Sequence, residues 1–85
     1  MAEIDDRFDE AVAAVPRLTT DPGNDVKLRL YALYKQATVG DVQGKRPGFT
    51  DLVGRAKYDA WSGLAGMSSA TAREEYVAVV DSLMP

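Results

Sequence analysis

LRLYALYKQATVGDVQGKRPG, residues 28–48, opens with the spacing of a helix and closes as a turn-rich loop. It gathers two tyrosines and four basic residues in a chain of net charge −3. Leu30, Leu33 and Ala37, with Val26 just upstream, fall on one stripe at 3.6 residues per turn. A helix is therefore expected from Asn24 or Asp25, either of which can cap it, to about Val39. Gly40 is its C-terminal stop. The segment GDVQGKRPG that follows carries three glycines and a proline and reads as a loop.

Upstream, Ile4, Phe8, Ala11, Val12 and Val15 keep the i, i+4, i+7 pattern of an amphipathic helix. Asp5, Asp6, Asp9 and Glu10 enrich its first turns, where the helix dipole favours anions. Pro16 ends it, because the ring blocks continuation and restricts the residue before it. TTDPGND is a loop by composition. Downstream, a third helix is expected from Thr50 or Asp51 to about Ser62, with Leu52, Ala56, Ala60 and Trp61 on its inner side and Leu64 continuing the contact. Gly63 and Gly66 punctuate its exit. Ser68 or Ser69 caps a fourth helix with Ala72, Tyr76, Val79, Val80 and Leu83 on one stripe. No segment alternates convincingly at the strand period, and no repeat is present. The expectation is a single all-α domain over residues 1–85, four helices in a bundle.

The composition fits a globular chain: 46% of the 85 residues are apolar and 27% charged. With no cysteine there is no disulfide framework and no thiolate metal site. With no histidine, the commonest general base and the commonest transition-metal ligand are missing. No apolar run approaches bilayer length. The acidic opening MAEIDDRFDE lacks the blocks of a signal peptide, and no lipidation motif is seen, so a cytoplasmic protein is expected. A monomer is expected because the apolar demand is met internally.

Charge is unevenly placed. Residues 1–26 hold two Arg against seven acids, a net −5. Residues 27–57 hold seven Lys or Arg against Asp41 and Asp51, a net +5. Residues 58–85 hold Arg73 against four acids, a net −3. A basic centre inside an acidic whole implies a local anion site, not a broad polyanion surface. The second helix supplies a face for it. With Val26 set at zero, Lys27, Leu28, Tyr31 and Lys35 fall at about 100° to 200° and Tyr34 near 80°. An ammonium and a phenol at i and i+4 can both donate to one phosphate. An aromatic face can stack on a planar base, and a leucine can line an apolar channel. Periodicity alone leans toward packing tyrosines and solvated lysines.

These residues are similar to the acyl-CoA-binding protein family. The resemblance is carried by YALYKQATVGD at 31–41, RPG at 46–48 and GRAKYDAW at 54–61, with Ser68 and Tyr76 at the family spacing and Phe8 and Leu18 matching the first helix and its exit. It covers nearly the whole chain without a gap. It implies a four-helix up-down-down-up bundle that binds medium- to long-chain acyl-CoA esters, with no catalytic residues, no metal and no cofactor. Carried over by position, Tyr31, Lys35 and Lys57 match the residues that hold the ribose 3′-phosphate. Tyr34 is placed near the nucleotide, Tyr76 matches the ligand tyrosine of the last helix, and Leu28 faces the acyl chain. Arg17, Lys27 and Arg55 are outer candidates. Trp61, Asp59, Gly40 and Pro47 read as structural, and Asp41 either pairs with Arg46 or caps backbone amides.

The chain departs from the family in places. Pro16 stands where a lysine is usual, with Arg17 beside it. Asp21 and Val53 occupy usually basic positions, Tyr58 a usual tryptophan, and Lys27 a usual methionine of the acyl groove. The Lys27 stem can still cover a chain while its head reaches water. The rival readings are a helical protein-interaction module without CoA affinity, a nucleic-acid binder and an enzyme. The acidic flanks and sequence pI near 4.7 oppose nucleic acid as a partner, and no carboxylate is spaced with a nucleophile or metal cluster. No stable membrane insertion is expected.

Overall fold

Four helices carry the chain, and no strand occurs among the described residues, 2–84, of the computed structural model. α1 spans Ala2–Ala14, α2 Asn24–Thr38, α3 Leu52–Ser62 and α4 Ser69–Leu83. Met1 and Pro85, the ends of the expected single unit, lie outside the described residues.

Local signals account for most boundaries. Pro16 does not stop the chain outright but tightens it into one 3₁₀ turn, Val15–Arg17. Asn24 is already helical, so neither Asn24 nor Asp25 caps α2. The cap position falls on Gly23, at φ +92°, and its amide donates to Asp21 Oδ1 at 2.8 Å. The expected cap chemistry thus sits three residues earlier, in an Asx turn. Gly40 ends α2 at φ +100°, its amide donating to the Lys35 carbonyl at 3.1 Å. Asp51 caps α3 by accepting from the Gly54 amide at 2.8 Å. Ser68 caps α4 by accepting from the Thr71 amide at 3.1 Å.

α4 packs on both α1 and α2, whereas α3 packs on α2. Leu30, Leu33 and Ala37 of α2 meet Ala72, Tyr76, Val77 and Val80 of α4, with Phe8 and Ala11 of α1 closing the core. Phe8 and Tyr76 meet edge to face at 5.2 Å between ring centres, and Tyr34 lies over Phe8 at 6.1 Å. Burial pushes the Tyr76 hydroxyl above its ordinary pKa, with the Tyr34 phenol adding to the shift.

α3 corrects the sequence expectation. It contains no fully buried residue. Ala60 and Trp61 do pack against the core, but Leu52 is 74% exposed and Ala56 only half-buried. Among the described residues α3 packs mainly on α2, with Ala60 and Trp61 against the core and Leu52 and Val53 left exposed.

The loop between α2 and α3 is pinned by side chains. Trp61 Nε1 donates to the Gly40 carbonyl at 2.7 Å, and the Tyr58 hydroxyl to that of Gly44 at 3.0 Å. Arg46 makes a two-pronged ion pair with Asp59, at 2.9 and 2.6 Å. Asp41 therefore does not pair with Arg46. It takes the second option, accepting from the Gly66 amide at 2.9 Å and from Gln36 Nε2 at 2.8 Å. Those two donors hold its carboxyl below the usual range, Gly66 contributing more.

Two outcomes follow for stability. Leu33 is wholly buried, so Leu33→Ala should cost about 2–5 kcal/mol in urea unfolding. For Asp41 the folded pKa is depressed, so its stabilisation is complete above the unfolded value of about 4 and is lost as pH falls through the lower folded value. Asp41→Asn should accordingly flatten the acid limb of a stability-against-pH curve below about pH 4. An unchanged acid limb would show that Asp41 is not a source of it.

Candidate ligand-binding site

Tyr31, Lys35 and Lys57 converge between α2 and α3. Lys35 follows Tyr31 by one helical turn, and Lys57 reaches across from α3. The Lys35 ammonium lies 5.9 Å from the centre of the Tyr31 ring and the Lys57 ammonium 5.3 Å from the same centre. Lys35 is also 5.6 Å from the Trp61 ring. Both cations are thus within cation–π reach of aromatic faces. The ion pairs among the described residues use Arg7, Lys27, Arg29, Arg46 and Arg73, and none uses Lys35 or Lys57. Two uncompensated ammonium groups facing one phenol repel each other mildly and attract an anion placed between them.

An apolar trench of about 390 Å³ starts at this point and runs toward the N-terminus of α2. Tyr31 and Lys57 belong to both features, so the lysine cluster and the trench are continuous. Leu28 of α2 forms one wall, and Leu52, Val53 and Ala56 of α3 the other. Asn24 and Lys27 close the far end. The exposed first half of α3 supplies this wall. Val53 is 66% exposed hydrocarbon and extends the apolar side of the trench.

The other candidate positions fall elsewhere. Tyr34 and Tyr76 stand with Phe8 in the aromatic cluster under α1 and α4, and neither lines the trench. Tyr34 keeps 40% of its surface in solvent, whereas Tyr76 is buried. Arg55 lays its guanidinium over the exposed Phe49 ring at 4.7 Å. Arg17 is an exposed residue at the end of the 3₁₀ turn, away from the trench lining. Lys27 does reach the trench, with its ammonium paired to Asp21 at 2.9 Å. The sequence reading missed the wall formed by Leu52, Val53 and Ala56, because helical periodicity marks a residue as apolar-facing without saying whether a neighbour arrives. No group of three or more metal-ligating side chains occurs among the described residues, and no described helix is long and apolar enough to cross a membrane.

A family model described as acyl-CoA-binding protein matches residues 5–80. Acyl-CoA-binding protein homolog 1 of Caenorhabditis elegans is 48% identical over 91% of this chain and 90% of its own length. Enoyl-CoA delta isomerase 2 of Rattus norvegicus is 53% identical over 89% of this chain, which spans only 19% of that enzyme. Among solved structures, acyl-CoA-binding protein 2 of Oryza sativa superposes with a TM-score of 0.89 at 40% identity, covering 94% of this chain and 89% of the rice protein. The all-α bundle, the family-model match over most of the chain and the near full-length relative agree, and the chain belongs to the acyl-CoA-binding protein family.

Proposed function

We propose that this protein binds medium- to long-chain fatty acyl-CoA esters, holding the CoA 3′-phosphate between Tyr31, Lys35 and Lys57 and the acyl chain in the α2–α3 trench. The observation that carries the reading is the meeting of Lys35 and Lys57 over one tyrosine ring at the mouth of an apolar trench. An ester of this kind has two halves with opposite solvent preferences. The trench removes hydrocarbon from water, at roughly 0.8 kcal/mol per methylene. The paired ammonium groups and the phenol meet the phosphate with charge-assisted hydrogen bonds. Neither half alone satisfies both surfaces.

Such a protein is a carrier or pool former, not a catalyst. The isomerase relatives share only a fifth of their length with this chain, and their activity is not carried over to it. The carrier is read as a cytoplasmic monomer forming a single acyl-CoA-binding unit, with the ester as its partner and no cofactor. On this reading Tyr34, at the solvent edge of the aromatic cluster, lies near the nucleotide, and Tyr76, which packs against it, is the ligand tyrosine of the last helix.

Calorimetric titration with palmitoyl-CoA, CoA and palmitate should give far tighter binding of the ester than of either fragment. Equal affinity for palmitate and its ester would refute the head-group assignment. Lys35→Ala and Lys57→Ala should each weaken the ester by about 10- to 150-fold, the range for hydrogen bonds to charged groups. An ester lacking the 3′-phosphate should bind parent and lysine variants alike. If it still separates them, the lysines act elsewhere on the ligand.

A further inference from the structure

Beyond Lys27 lies a second pocket of about 280 Å³, under the 3₁₀ turn and the loop that enters α2. Its walls include Val15, Leu18, Pro22 and Leu30, all hydrocarbon. Lys27 is the residue that lines both spaces. Its ammonium is tied to Asp21 Oδ2 at 2.9 Å, and Asp21 lines the second pocket. Asp21 is itself fixed, because its Oδ1 accepts from the Gly23 amide at 2.8 Å. The backbone amide of Lys27 in turn donates to the Gly23 carbonyl at 3.0 Å. Both ends of the bar are thus anchored to the first turn of α2.

We propose that the Lys27–Asp21 ion pair is the stop at the end of the acyl trench, and that it sets the chain length this protein prefers. The inference rests on the acyl-CoA reading above. With the pair closed, the chain terminus meets the methylene stem of Lys27, an apolar surface whose charged head stays in water. A longer chain must either leave methylenes in solvent or displace Lys27 and continue into the pocket beneath Leu18. The latch is weak: the two side chains keep 52% and 68% of their surface exposed, so the pair is screened by salt. The stop therefore grades chain lengths instead of excluding long ones.

The test is a series of saturated acyl-CoA esters from C8 to C18, titrated against the parent protein, Asp21→Asn and Lys27→Ala. Affinity for the parent should climb by roughly fourfold per methylene, the equivalent of 0.8 kcal/mol, and then break to a shallower slope. Asp21→Asn keeps an oxygen acceptor for the Gly23 amide and loses the charge that holds Lys27. It should move the break at least two carbons longer while leaving the shortest esters within twofold. Lys27→Ala removes the bar and should move the break at least as far. Raising salt should shift the parent toward the Asp21→Asn profile. A break at the same length in all three proteins overturns the proposal while leaving the acyl-CoA reading standing. Failure of every ester to bind the parent overturns both.

Discussion

One buried amide fixes the geometry on which the site depends. Gln36 is 1% exposed, and its Nε2 donates to Asp41 and to the Met67 carbonyl, at 2.8 and 2.9 Å. Asp41 in turn accepts from the Gly66 amide. The end of α2, the start of the long loop and the turn into α4 are therefore joined at one point. Polar groups buried at such a junction are costly unless satisfied; the Gln36 Nε2 is satisfied twice over, whereas its buried Oε1 has no hydrogen-bond partner among the described residues. Trp61 and the Arg46–Asp59 pair then fasten α3 to the same loop. These ties hold α3, which carries Lys57, to the loop that leaves α2, which carries Lys35.

The division of α2 into two faces follows from that arrangement. Leu30, Leu33 and Ala37 close against α4, and an adjacent face carrying Leu28, Tyr31 and Lys35 is left toward α3. One helix thus packs on one side and, on the proposed reading, meets the ligand with another. This separation explains why Tyr31 and Tyr34, only three residues apart, belong to different environments. Tyr34 turns to Phe8, and Tyr31 turns to the lysines.

Much of this was legible in the residues. The stripe Val26, Leu30, Leu33, Ala37, the stop at Gly40 and the caps Asp51 and Ser68 are short-range signals, and each fixes structure within a few residues. The convergence of Lys35 with Lys57 is not short-range. It came from the resemblance carried by YALYKQATVGD and GRAKYDAW. What neither route supplied was the state of α3. Leu52 and Ala56 carry the same helical spacing as buried residues, yet among the described residues α3 packs mainly on α2 and leaves them open. Periodicity reports which side of a helix is greasy, and tertiary arrangement decides whether anything covers it. The Arg46–Asp59 pair was hidden for a similar reason, since Asp41 and Asp59 are both plausible partners until the loop is closed.

The incompletely covered α3 gives the protein an unfinished core. A helix with no fully buried residue opens at a lower free energy than its neighbours, so its amides should be the first of the four to exchange with solvent. A fatty tail lying along Leu28, Leu52, Val53 and Ala56 would supply the missing hydrocarbon and join α3 to the rest of the cooperative unit. On the proposed reading, ligand binding would then stabilise the protein by mass action, and the empty and ligand-bound forms would differ in rigidity more than in shape.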